Sequence, residues 1–216
     1  MLIAALYGLY TQEHTEDTSV KNVELAQLAE IPAYDGEHQI IQLNHNQPNF
    51  TEEELKMPLG TQFSDLDSLN RVGRADGMLH KSLFPKEERE RLYVKPTGWQ
   101  QKFYQDQPLY NRAHLIAFRL TGENNNLKNL MTATSSLNSP GMTVYENQVA
   151  DYLKKTGNHV RYRVTPYFEG DELVARGVQL EAQSIEDDEV SYNVFIYNIQ
   201  ESVTIDYQTG RSQKSE

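Results

Sequence analysis

From Val160 to Ile199 apolar residues fall on roughly every second position, and that period of two restricts the architecture more than any other feature of the chain. Val160, Tyr162 and Val164 alternate with polar residues, Glu169-Gly170-Asp171 supplies a turn, and Val174, Val178, Leu180 and the stretch from Tyr192 to Ile199 continue the pattern. Such a segment forms antiparallel strands with one face on a core. Ahead of it, Met142, Tyr145, Val149, Tyr152 and Leu153 recur at helical spacing and Gly157 is a stop signal, so one amphipathic helix precedes the meander. Further upstream, Gly36 to Leu43 is strand-like, Thr51 to Glu54 has capping-box spacing and opens a short helix, and Leu109 to Phe118 and Leu127 to Thr134 read as two more strands. The expected class is α+β, built on an antiparallel sheet.

At 216 residues the chain is one generous domain. Zero Cys excludes a disulfide framework, a Cys-based zinc site and a thiol nucleophile, so any metal must sit on nitrogen or oxygen. The formal charge of −11 argues against a polyanionic partner, but its distribution argues the other way. Residues 1–70 hold 2 basic and 12 acidic groups, residues 71–130 hold 11 and 6, and residues 131–216 hold 7 and 13. The middle is a basic island; a polyanion-binding face and ordinary charge fluctuation are both consistent with it.

Met1 to Tyr10 is the one continuous apolar run, far short of the roughly 20 residues that span a bilayer. No membrane span is expected. The run has the length of a signal-sequence core but lacks a basic flank, and a buried strand is the alternative. Residues 1–30 are therefore expected to be an N-terminal arm or residual targeting segment, residues 31–210 the functional domain, and residues 211–216 a solvated tail.

His114 is the histidine around which polar groups converge within an otherwise apolar segment, Leu109-Tyr-Asn-Arg-Ala-His-Leu-Ile-Ala-Phe118. A lone strand histidine is usually structural. Here a second strand follows, then Ser135-Ser-Leu-Asn138-Ser-Pro-Gly leads into the helix carrying Glu146, giving a strand, strand, helix order with His on the first strand and Asn at the mouth of the helix.

The ordered segments Asn-Arg-Ala-His, Gly-Glu-Asn-Asn-Asn-Leu-Lys-Asn-Leu, Asn-Ser-Pro-Gly-Met and Tyr-Glu-Asn-Gln-Val-Ala-Asp-Tyr resemble the DNA/RNA non-specific endonucleases of the ββα-metal type, in particular streptococcal secreted DNases and DNA-entry nucleases. The likeness runs from Ile31 to Gly210. It implies a ββα-metal motif within a nuclease domain, His114 as general base, Asn138 as metal ligand, and Asn129 and Glu146 as members of the surrounding catalytic site. The implied cofactor is Mg²⁺ or another divalent cation such as Mn²⁺.

Each role makes chemical sense. An imidazole with an unperturbed pKa near 6.5 suits deprotonation of water, and Mg²⁺ accepts one amide oxygen while keeping several waters. Glu146 lies eight residues after Asn138, about 80° around a helix, so both can face one cleft; alternatively Thr143-Val-Tyr-Glu146 is a capping box and Glu146 only caps the helix. Asn129 is either a site residue or a turn residue. Arg112 precedes His114 by two, on the same strand face, where it would hold the scissile phosphate; a surface ion pair is the alternative.

Two departures from the family's Asp-Arg-Gly-His stand out: Asn111 and Ala113. The helix also lacks basic residues one turn beyond Glu146, where Ala150 and Asp151 stand, so the substrate grip must come from Arg71, Arg74, Lys81, Arg89, Arg91, Lys95 and Lys102, diluted by Glu87, Glu88 and Glu90, and of these Arg71, Arg74, Lys95 and Lys102 are the expected contacts. The expectation is a bacterial, secreted or surface-attached endonuclease cutting DNA, with RNA as a second substrate. The alternative is a catalytically weakened nuclease fold that binds nucleic acid or a protein without turnover. No feature sets an oligomeric state.

Overall fold

The computed structural model describes residues 20–215, so the apolar run Met1 to Tyr10 lies outside the described residues. Two short strands come first, β1 (Asn22–Val23) and β2 (Ile40–Leu43), then β3 (Gly60–Phe63) and β4 (Ala75–Leu79). A small hairpin of β5 (Phe103–Tyr104) and β6 (Gln107–Pro108) leads directly into β7 (Tyr110–His114). A one-turn helix α1 (Phe118–Thr121), β8 (Leu130–Thr134) and the long helix α2 (Thr143–Thr156) follow. Three long strands, β9 (Val160–Tyr167), β10 (Gly177–Ser184) and β11 (Ser191–Tyr197), precede a closing hairpin of β12 (Val203–Asp206) and β13 (Arg211–Lys214).

The meander read from the alternation is the centre of a seven-stranded sheet in the order β1-β2-β11-β10-β9-β4-β3, antiparallel except for β1 on β2. Val164 opposes Leu180 and Tyr162 opposes Ala182, so like parity meets like and one apolar face results. Onto that face pack Val149, Tyr152 and Leu153 of α2, with Ala113, Met131 and Ala133 of the β7–β8 pair. Gly157, at φ +74°, ends α2 as its spacing predicts, its N–H donating to the Leu153 carbonyl at 3.0 Å.

The polar parity of the meander is not a solvent face. Arg161 and Glu181 are each 2% exposed and Arg163 is 9% exposed. Arg161 pairs with Asp76, and Arg163 reaches Glu54 at 2.7 Å and Glu181 at 3.5 Å. Phe50 covers both guanidinium groups at 4.8 and 4.5 Å. Charges so enclosed persist because each has a partner. The segment that covers them is anchored by Thr51 and Glu54, which exchange backbone-to-side-chain bonds of 2.9 and 3.2 Å in the expected capping box.

Two strand starts differ from expectation, and two terminal segments make strand pairs. The strand from Gly36 starts only at Ile40, because the Asp35 carboxylate accepts the Glu37 and His38 N–H groups and folds 35–38 into a turn. The strand from Leu127 starts at Leu130, because the Asn126 side chain accepts from Lys128 N and tightens 127–129 into a single turn. Residues 211–214, assigned to a solvated tail, are mostly exposed yet pair with β12 as β13. Likewise Asn22 and Val23, assigned to the arm, pair with Gln42 and Leu43.

Candidate active site

β7 and β8 pair antiparallel, Arg112 opposite Thr132 and His114 opposite Leu130, and α2 follows through an irregular turn at Leu137–Met142. Ala113 and Ala133 are in the core, and the neighbouring parity carries Arg112 and His114 to a cleft of about 680 Å³. Arg89, Arg91, Asn111, Arg119, Asn138 and Glu146 line it with them. Four of these residues are arginines and one is a carboxylate, so the cleft is cationic within an anionic protein.

His114 is 7% exposed, and its Nε2 lies 2.8 Å from the Asn124 carbonyl oxygen. A carbonyl only accepts, so Nε2 carries the proton and Nδ1 keeps its lone pair. Burial holds the imidazole pKa below its ordinary value; the Asn124 contact opposes this, and the Arg89 charge adds to it. Burial thus favours the neutral ring, in which Nδ1 is the acceptor.

Glu146 is also 7% exposed and accepts from Arg119 Nη2 at 2.9 Å. Burial pushes its carboxyl pKa above the ordinary value, and the Arg119 guanidinium opposes that. It does not cap α2: the residue ahead of the helix, Met142, already has helical angles, and the Thr143 hydroxyl donates to the Asn138 carbonyl at 2.9 Å. Asn138 lines the cleft, and its side-chain amide makes no hydrogen bond to protein among the described residues. Arg112 is no surface ion pair either, since its Nε donates to the Val94 carbonyl and its guanidinium lies 4.4 Å over the Trp99 ring.

Asn129 corrects the expectation of a cleft role. It is fully buried, its Oδ1 accepting Ile116 N at 2.9 Å and its Nδ2 donating to Ile116 O at 3.0 Å. It pins the chain that leaves β7 and so positions His114 from behind. Asn129→Ala should leave the Ile116 N–H and C=O buried and unpaired, lowering stability by about 1–3 kcal/mol. Urea unfolding of the variant measures this, and an unchanged midpoint would contradict it.

The grip expected of Arg71, Arg74, Lys95 and Lys102 is not in the cleft. Arg71 pairs with Asp67 at 2.7 Å, donates to the Gly170 and Glu172 carbonyls, and lies over Phe168, which makes it a clamp between loops. Arg74 pairs with Asp76 at 2.7 Å. Lys95 is exposed beyond the cleft lining, and Lys102 bonds to the Ser212 carbonyl on the β12–β13 hairpin.

In their place the irregular segment ahead of Val94 brings Arg89 and Arg91 to the cleft. Asn124 Nδ2 donates to Glu90 O, Asn125 Nδ2 donates to Arg91 O, and Asn125 Oδ1 accepts from Tyr93 N. The loop that fixes the His114 tautomer thus also fastens this strap. Both arginines belong to the basic supply read from the sequence, at the spacing that shares one side of an extended chain, but Glu87, Glu88 and Glu90 dilute the segment and set it behind Arg71, Arg74, Lys95 and Lys102.

For a metal, the cleft offers oxygen donors: the Asn138 amide and the Glu146 carboxylate. Among the described residues no group of three or more His, Cys, Asp or Glu side chains converges to cage one.

A sequence model of the DNA/RNA non-specific endonuclease family matches residues 48–186. Among solved structures, NucA from Streptococcus agalactiae with magnesium bound is 30% identical, covering 82% of this chain and 87% of that one, with a TM-score of 0.74. Its metal-free form superposes with a TM-score of 0.72 at 29% identity over the same shares. Sda1 nuclease with bound zinc is 28% identical, covering 72% of this chain and 81% of that one, with a TM-score of 0.63. Every cleft residue from Arg89 to Glu146 falls within the matched span, and the chain belongs to the DNA/RNA non-specific endonuclease family, a nuclease whose substrate is nucleic acid.

Proposed function

We propose that this endonuclease hydrolyses phosphodiester bonds of DNA, with RNA as a second substrate, using His114 as general base and one divalent cation at Asn138. The observation that carries the reading is the His114 tautomer, an imidazole with Nε2 tied to a carbonyl and Nδ1 able to accept, in a cleft lined by four arginines. Nδ1 takes a proton from water as the water oxygen bonds to phosphorus and the bond to the departing sugar oxygen breaks. Arg112, held by Val94 and Trp99, and Arg89 and Arg91 on the strap offset the charge that develops on the phosphoryl oxygens. Asn129 acts from behind, as a positioning residue.

The donor set fits Mg²⁺ or Mn²⁺. Both cleft donors are hard oxygens, few in number, as suits an ion that keeps most of its water, whereas zinc favours nitrogen and sulfur. Asn138 would hold the cation, with Glu146 beyond it. When bound, it supplies charge neutralisation at the phosphate and at the leaving oxygen. The magnesium of NucA and the zinc of Sda1 support a divalent requirement here. Plasmid digestion that stops with EDTA and returns with Mg²⁺ or Mn²⁺ is the expected result; digestion indifferent to EDTA would remove the metal from the mechanism.

The proposed place of action is outside the cell, secreted or attached to its surface. With no Cys the chain is indifferent to the redox state of its compartment. No described helix is long and apolar enough to cross a membrane. Nuclease activity should be found in culture supernatant or on washed cells; activity confined to the lysate would contradict this.

The strap makes a separate, quantitative prediction. Replacing Arg89 and Arg91 with Ala should weaken DNA binding and flatten its salt dependence by about 0.7–0.9 in slope for each phosphate that the variant no longer neutralises. Replacing Arg71 and Arg74 should leave the slope unchanged. Fluorescence anisotropy with an inactive His114→Ala background reads both, and the reverse ranking would return the grip to Arg71 and Arg74.

A further inference from the structure

The four arginines of the cleft are not alike. Arg89, Arg91 and Arg112 make no ion pair among the described residues, whereas Arg119 is paired with Glu146. Arg119 belongs to α1, the one-turn helix that follows His114 in the chain, and from there it reaches across to the start of α2. Nη2 donates to Glu146 Oε2 at 2.9 Å and to the Thr143 carbonyl at 3.3 Å, and Nη1 donates to the Asn147 side-chain oxygen. Both Nη2 hydrogens and one Nη1 hydrogen are thereby committed within the protein.

Each end of this bridge is fixed close to a residue of the proposed mechanism. On the β7 side, Asn129 pins Ile116, between His114 and α1. On the other side, Thr143, whose carbonyl accepts from Arg119, donates through its hydroxyl to the Asn138 carbonyl. Arg119 thus ties the chain that carries His114 to the turn and helix that carry Asn138 and Glu146. The bridge also orients the carboxylate. With Oε2 held by Arg119, Oε1 is the oxygen left for the cleft that Glu146 lines. A carboxylate 7% exposed needs a cationic partner, and one turn further along α2 stand only Ala150 and Asp151. Arg119 supplies that partner from 27 residues away in the chain.

We propose that Arg119 is a positioning residue for hydrolysis, which holds Glu146 with one oxygen toward the cleft and keeps the start of α2 in register with His114, and that it is not a phosphate contact. The inference deepens the mechanism proposed for the cleft and rests on it. Charge separates Arg119 from the other three arginines. Arg119 and Glu146 together add no net charge, so what a phosphate gains from the guanidinium it loses to the carboxylate bonded to it. Arg89, Arg91 and Arg112 have no such neighbour among the described residues and present their full charge to a substrate.

A double-mutant cycle tests the proposal, read as kcat at saturating DNA and as DNA affinity in EDTA. Arg119→Met should lower kcat by about 10–100-fold, as does loss of an outer partner of a metal site. Glu146→Gln should lower it at least as much. The double variant should be no slower than Glu146→Gln alone, because a residue that acts through Glu146 then has nothing left to position. In an inactive His114→Ala background the double variant, which removes one charge of each sign, should keep the salt slope of its parent. Losses in kcat that multiply, or a slope lower by about 0.7–0.9, would make Arg119 a phosphate contact and overturn the proposal. Glu146→Gln at the wild-type kcat would overturn it as well. Val149, Tyr152 and Leu153 keep α2 on the sheet, so the fold should survive. Should Arg119→Met alone unfold, the double variant, which leaves no buried charge unpaired, still gives the salt slope and the comparison with Glu146→Gln. Failure of the cleft mechanism reads out separately, as cleavage by His114→Ala at the wild-type rate.

Discussion

Replacing His114 with Ala is expected to lower kcat by on the order of 10²–10⁴ while DNA affinity stays near the wild-type value. The split follows from the cleft. In the proposed mechanism phosphate binding belongs to Arg89, Arg91 and Arg112, which line the cleft, whereas Nδ1 of His114 acts only when water must lose a proton. The fold should survive, because Ala113, Leu115 and Ile116 keep β7 and its exit in the core and Asn129 still pins Ile116. The change removes one hydrogen bond, to Asn124, worth about 1 kcal/mol. Single-turnover cleavage of plasmid together with anisotropy on a labelled duplex measures both halves. His80→Ala is the control: that ring stacks on His159 at 4.9 Å, away from the cleft lining, and its loss should leave kcat unchanged. Cleavage at the wild-type rate by His114→Ala would remove this residue from the mechanism.

Asn138→Ala should be nearly as severe. Loss of even an outer partner of a metal site costs about 10–100-fold, and Asn138 offers an amide oxygen in a site with few other donors. Activity should fall by at least that much and return only partly at high Mg²⁺. Asn138→Asp separates ligation from shape, since it keeps the oxygen and adds charge: the metal concentration for half-maximal rate should drop below that of the Ala variant. Thr143 donates to the Asn138 backbone carbonyl, which both substitutions preserve, so the turn into α2 stays in place. Unchanged metal dependence in both variants would show that other residues hold the cation.

The two capping boxes show what the sequence can and cannot reveal. Thr51 to Glu54 and Thr143 to Glu146 have the same spacing, yet only the first makes the reciprocal bonds. A cap needs a helix start with free N–H groups and an extended residue before it. Ahead of Thr143 the chain is already coiled through Leu137–Met142, and Glu146 is left to Arg119. The strand periodicity, α2 and its Gly157 stop, and the meeting of His114, Asn138 and Glu146 were all legible from local pattern or ordered motifs. The fate of the charged residues was not. Arg71, Arg161 and Arg163 look like surface cations in sequence, but their partners lie far away along the chain, Arg71 on the Gly170 and Glu172 carbonyls and Arg161 on Asp76. Only the folded sheet and the segment covering it decide which cations remain free to meet a phosphate.

The pH dependence of kcat/KM on a long DNA, at fixed metal and ionic strength, tests the role of His114 most directly. In the proposed mechanism the base must be neutral imidazole, and burial beside Arg89 favours that form, so the rate should climb from the acid side and level off with an apparent pKa below the ordinary 6.5. Protonation below that pKa should abolish activity in step with one proton, and the His114→Ala residual rate should lack this limb. The same acid limb in wild type and variant would show that another group accepts the proton from water.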